Sequence, residues 1–238
     1  MPTLYLIRHG QASFGAADYD ALSDLGFRQA RHLGTHLAAR LPKIDRVWRG
    51  SMRRHAETAA DCLQAWTGGV AGAAEVDPGF NEFDHQQVLL RYRPEWADRA
   101  RLQADLAAAV AQDRRNEAPH KVFQAEFERA MARWYGGEHQ DYDEPHAAFR
   151  SRVLASFDAA VAALGASETG LVFTSGGVIS LIAQHLLDLP LPAVLALNTV
   201  IVNCSVSKVL VGTTGPRLLS LNEHGHFEGE AMDLLSYR

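Results

Sequence analysis

The residues best suited to chemistry stand together at the end of the first apolar run: Arg8, His9 and Gly10 close the stretch TLYLIRHG that begins at Thr3. An imidazole titrates near pH 6.5, so much of it is neutral at physiological pH and can attack phosphorus without a helper base. The neighbouring guanidinium is a planar, permanently charged fork that matches phosphate oxygens in pairs. Gly10 supplies backbone that can approach a ligand closely or take positive φ. Three further places share this character. Arg53 and Arg54 follow the Gly50-Ser51 turn in what reads as the first turn of a helix, where cations oppose the macrodipole unless an anion is bound. Glu82 lies in a loop between Phe80 and Phe83, where desolvation would raise its pKa and suit it to donate a proton. Ser175, Gly176 and Gly177 turn a buried apolar run into a helix, the geometry that cradles anions.

Strands and helices must bring these places together. Leu4 to Ile7 has the length and composition of a buried strand. Ser23 is a candidate N-cap for a helix to about Arg40, with Ala30, Leu33, Leu37 and Leu41 on one face and Pro42 ending it. His32 and His36 within it have metal-ligand spacing, but no third ligand accompanies them and they read as structural. Residues 44–49 read as a second strand, 53–63 as a helix, 67–74 as a loop and 75–77 as a short strand. From 85 to 145 the pattern becomes helical, with Tyr92, Trp96, Leu102, Leu106 and Val110 in one stripe. Val122, Phe123, Phe127, Met131 and Trp134 form another. This is read as an insertion lying over the strand ends and setting substrate selectivity, with Arg91 and Arg93 solvated. A helix over 146–164 capped by Gly165, a strand over 170–174 and a helix over 178–187 follow. Pro190 and Pro192 mark a loop before strands at 199–211 and 217–221. The tail from Asn222 reads as polar and turn-like, with His224 and His226 at the surface. The order implies a single α/β domain over 1–238: a three-layer sandwich, its mixed, mostly parallel sheet covered by helices on both faces.

Composition narrows the function. With 238 residues, 47% hydrophobic and 21% charged, the chain is an ordinary globular protein with enough material for a core. A net charge of −5 argues against nucleic-acid partners, which need a basic face. The two cysteines, Cys62 and Cys204, form no CxxC pattern, so neither disulfides nor zinc are indicated and a reducing cytoplasm is the expected home. No run approaches the roughly 18 apolar residues of a membrane span, and no membrane partner is expected.

Taken in order, LIRHG (6–10), LSDLGFRQA (22–30), SMRRHAETA (51–59), FNEFD (80–84) and VFTSGGVIS (172–180) resemble the histidine phosphatase superfamily, which includes the cofactor-dependent phosphoglycerate mutases. The resemblance implies that His9 is phosphorylated, that Arg8 and Arg54 clamp the phosphate together with the Gly10, Ser175 and Gly176 segments, and that Glu82 is the proton donor. Arg54 is preferred to Arg53 because it stands four residues before Thr58, as in the family's R-A-x-x-T-A signature, which His55 interrupts. Two departures are visible. The family has S-H-G-G where this chain has Thr174-Ser175-Gly176-Gly177, and a serine can donate one hydrogen bond but carries no charge. Compensation could come from the amides of Gly176 and Gly177, or from a histidine such as His85 or His224. Gln11 stands where mutases have glutamate, which argues against a glycolytic mutase.

The leading expectation is hydrolysis of a phosphorylated small molecule through phospho-His9, with no cofactor or metal because the guanidinium groups offset the charge. A weakly active or inactive phosphate-binding homologue is the alternative, and a mutase-type phosphotransferase a lesser one. Ser175 as the nucleophile of an acyl hydrolase is disfavoured by Phe173, which spoils the G-x-S-x-G elbow. The apolar stretch 199–211 could pair at a sheet edge in a homodimer.

Overall fold

The computed structural model describes residues 1–13, 20–68, 72–112 and 119–237. Residues 15–19 of a loop the sequence predicts over 15–20, and residues 69–71 of the one predicted over 67–74, lie outside them. The elements run β1 (Thr3–Arg8), α1 (Asp24–Ala38), β2 (Arg46–Arg49), α2 (Arg53–Ala65), β3 (Glu75–Val76), α3 (His85–Tyr92), α4 (Arg99–Gln112) and α5 (Pro119–Gly136). They continue with α6 (His146–Ala163), β4 (Thr169–Thr174), α7 (Gly176–Leu187), α8 (Leu191–Val200), β5 (Val206–Gly212) and β6 (Gly215–Glu223). By their internal contacts they form two units, residues 1–82 with 152–238, and residues 83–151.

The first unit carries a six-stranded sheet in the order β3-β2-β4-β1-β5-β6. Four neighbouring strands, β3, β2, β4 and β1, are parallel; β5 runs antiparallel to both β1 and β6. The strands alternate as pleating requires. Ile7, Val47, Leu171 and Phe173 join Ala30, Leu33 and Leu37 of α1 and Ala59 and Cys62 of α2 in one buried cluster. The residues between them, Leu4, Leu6, Trp48 and Val172, are equally buried toward the other face. There Gly170 has no room for a Cβ between Trp48, Leu4 and Leu164, the residue just past α6. Helices thus cover both faces, as the pattern of elements implies. Ser23 caps α1 by accepting from the Gly26 amide at 3.1 Å. Both cysteines are free and buried.

The structure differs from the sequence expectations after Leu187. Residues 191–200 form α8, with Pro190 at its N-cap and Pro192 in its first turn, where a missing amide hydrogen costs nothing. The run 199–211 is not one strand: Cys204 takes positive φ (56°), which breaks it, and β5 begins only at Val206. Flanked by β1 and β6, β5 offers no free edge for a dimer. Nor is the tail wholly superficial, since His226, Phe227 and Leu234 are buried. His32 and His36 belong to this packing: His32 Nε2 bonds the His226 carbonyl at 2.6 Å, and His36 lies against the His226 ring.

The second unit is helical and has its own apolar centre, in which Trp134 packs against Phe83 and Phe149. Its expected solvated arginines are paired, Arg93 with Glu126 at 2.7 Å and Arg91 with Asp143 at 3.1 Å. Among the described residues no helix is long and apolar enough to cross a membrane.

Candidate active site

Three parallel strands end side by side. Arg8 pairs with Thr174, and Arg49 with Phe173, so His9, Gly50 and Ser175 emerge together from the carboxyl edge of the sheet. That edge is where open α/β sheets place their ligands. The turn over residues 201–205 holds the first of these ends in place: Cys204 N–H donates to the Arg8 carbonyl at 3.1 Å and Asn203 Nδ2 to the His9 carbonyl at 3.0 Å.

His9 is buried, and its Nδ1 lies 2.7 Å from the Gly10 carbonyl. A carbonyl only accepts, so Nδ1 carries the proton and Nε2 keeps its lone pair. Burial holds the imidazole well below its ordinary pKa, reinforced by the positive charges of Arg54 and then Arg8. Gly10 is glycine for a packing reason, not for positive φ: a Cβ there would stand 2.6 Å from the Gly26 carbonyl oxygen of α1. Its amide donates to Thr58 Oγ1 at 3.0 Å, so its part in the site is the carbonyl that fixes His9.

The adjacent arginines of α2 separate cleanly. Arg53 turns outward to Glu57 at 2.6 Å, whereas Arg54 is buried and bonds Asp20 at 2.7 Å. Asp20 also accepts from the Arg53 amide at 2.7 Å, capping the start of α2. Arg8 donates through Nη1 to the carbonyls of Ile201 and Tyr237, and its guanidinium passes close to Gly176. The segment bearing Glu82 is held from behind, where Arg152 Nη1 gathers the carbonyls of Gly79 (3.0 Å) and Asn81 (2.8 Å). Thr174 Oγ1 donates to the Phe80 carbonyl at 2.7 Å. The partly buried Glu82 carboxylate then accepts from the Gly177 amide at 3.1 Å, in the first turn of α7.

Ser175 has an unforeseen partner. Its Oγ lies 2.7 Å from Nε2 of His55, and both side chains are fully buried. Burial, then Arg54 and Arg49, hold His55 well below its ordinary pKa. His224, one of the two histidines expected to compensate, faces elsewhere, into a cavity of about 620 Å³ lined also by Tyr5, His36, Arg40, Lys208 and Glu223.

The profile of the histidine phosphatase superfamily, branch 1, matches residues 4–122 and 106–224. The chain belongs to that superfamily. No curated protein matches it in sequence. Among solved structures it is similar to Bacillus stearothermophilus YhfR (18% identity, TM-score 0.65, covering 96% of this chain and 100% of that one). It is similar also to a mycobacterial glucosyl-3-phosphoglycerate phosphatase (19%, TM-score 0.57, covering 92% and 98%). A third is a mutant phosphoserine phosphatase from Entamoeba histolytica in complex with phosphoserine (14%, TM-score 0.59, covering 95% and 99%). At these identities the likeness is one of fold. Within this histidine phosphatase fold, Arg8, His9, Gly10, Ser175 and Gly176 stand at the ends of β1 and β4, Arg54 in the first turn of α2 beyond β2, and Glu82 reaches the N-terminus of α7. Sequence reasoning treated His55 as a flaw in a motif; the signal it held was its place beside Arg54, on the side of α2 that turns inward.

Proposed function

We propose that this protein is a phosphatase that hydrolyses phosphomonoesters through a phospho-His9 intermediate. The observation that carries the reading is the fixed imidazole: Nδ1 is committed to Gly10, and the free lone pair of Nε2 belongs to a ring close enough to Arg54 and Arg8 to feel both charges. In the first step Nε2 attacks phosphorus, the bond to the ester oxygen breaks, and Glu82 gives its proton to the leaving alkoxide. Arg54 and Arg8 offset charge on the equatorial oxygens of the in-line transfer. In the second step water attacks, Glu82 as carboxylate takes its proton, the N–P bond breaks and inorganic phosphate leaves. The scheme calls on no cofactor. The phosphatases among its structural relatives favour hydrolysis over transfer to a second substrate.

A second reading, phosphate binding with little turnover, draws on Ser175 and on the partners that Arg54 and Arg8 already hold. Both are tested by turnover of an aryl phosphate in wild type and His9→Ala. Wild-type hydrolysis that the variant loses is expected; equal turnover in the two rejects the nucleophile, and phosphate binding without turnover selects the second reading.

A further inference from the structure

Ser175 occupies the N-cap of α7, where a serine oxygen ordinarily accepts from an amide two or three residues on. Here it makes no such bond; Glu82 takes the Gly177 amide instead, and Ser175 Oγ is directed to His55. Space for the imidazole is reserved by Gly50, since a Cβ at that position would collide with His55 Nδ1. That Nδ1 is buried without a hydrogen-bond partner among the described residues. A neutral imidazole has one N–H, and buried donors left without acceptors are the rarer defect, so the hydrogen belongs on Nε2, where Ser175 accepts it. The serine hydroxyl hydrogen is thereby turned away from His55 and left for another acceptor. The ring centroids of His55 and His9 are 5.7 Å apart.

We propose that His55 is a positioning residue for phosphoryl transfer at His9: it donates from Nε2 to Ser175 Oγ and so presents the serine hydroxyl to a phosphoryl oxygen. Two residues on different elements then do together what the family resemblance implies for the one histidine of S-H-G-G, which is to help hold the transferring phosphoryl group. The inference rests on the phospho-His9 reading. Held neutral by burial and by Arg54 and Arg49, His55 contributes a hydrogen bond and not a charge. Its bond also ties α2, which carries Arg54, to the turn whose amide holds Glu82.

The test measures aryl phosphate turnover and orthovanadate binding for wild type, His55→Leu, His55→Gln, Ser175→Ala and the His55→Leu/Ser175→Ala double variant, with thermal melts to establish folding. Losing one preorganised donor lowers kcat about 100-fold, so His55→Leu and Ser175→Ala should each fall by that amount with KM nearly unchanged. The double variant should be no worse than the poorer single one, because both remove the same contact. His55→Gln, which keeps an N–H near the same place without the capacity for charge, should stay within about tenfold of wild type. Gly50→Ala, whose Cβ displaces the imidazole, substitutes for His55→Leu if that variant does not fold. Wild-type kcat in His55→Leu, multiplying losses in the double variant, or a His55→Gln as poor as His55→Leu would each overturn the proposal. If wild type shows no turnover, the phosphatase reading fails by itself and orthovanadate decides the pair. Affinity lost in His55→Leu and Ser175→Ala but kept in His55→Gln upholds the part of the proposal that survives, the donation from His55 through Ser175 to a bound oxyanion. Unchanged affinity, or no binding by wild type, overturns it.

Discussion

Acidification tests the burial of His226. Its imidazole lies 4.9 Å from the ring of His36, 4.1 Å from Phe227 and 6.1 Å from His32. Burial first, then the charges of His36 and His32, lower its pKa from 6.5 to about 3. A group whose folded pKa is depressed in this way, and whose deprotonated form is the uncharged one, binds protons more readily in the unfolded chain. Stability is therefore unaffected above pH 6.5 and lost as pH falls toward 3. Between pH 7 and pH 5 the unfolded chain takes up about three quarters of a proton that the folded chain refuses, and linkage with these two values gives a loss of about 2 kcal/mol. Urea unfolding of wild type and His226→Gln at both pH values reads this directly. His9 and His55, also depressed by burial, contribute equally to both proteins and cancel in the comparison. Wild type should lose about 2 kcal/mol more than the variant on acidification. Equal losses would refute the view that the tail buries a neutral imidazole.

Two further outcomes follow from close contacts. Asp20→Asn removes the anion that competes for Arg54, and because Asp20 is partly exposed the gain is modest: orthovanadate should bind about two- to fivefold more tightly, and unchanged or weaker affinity would contradict the competition. Gly34→Ala places a Cβ against the Cys62 carbonyl between α1 and α2, so the unfolding free energy should drop by about 1–3 kcal/mol, and an unaltered midpoint would show the helices less closely packed than described.

The parts of the fold legible in the sequence were those governed by local rules. The Leu4 to Ile7 run and the 170–174 run could only be strands, and the reactive residues directly after them had to leave the sheet at one edge once parallel pairing aligned them. The stripe on α1 needed one buried face and declared itself at helical spacing. By contrast α8 is apolar all round, so no period distinguishes it, and its prolines signal a loop as readily as a helix start. The break at Cys204 lies inside a β-branched run whose local preference points the other way. His55 was hidden for a different reason. Its partner is 120 residues away, and only the alignment of β2 and β4 brings them together.

Arg8 donates to carbonyls 193 and 229 residues further along the chain. During synthesis β1 is therefore made long before the groups that orient its arginine, and the setting of Arg8 at the candidate site is complete only once residue 237 has been added. A chain cut short before residue 237 keeps all six strands of the sheet if it extends past Glu223, yet lacks part of the framework that aims the guanidinium.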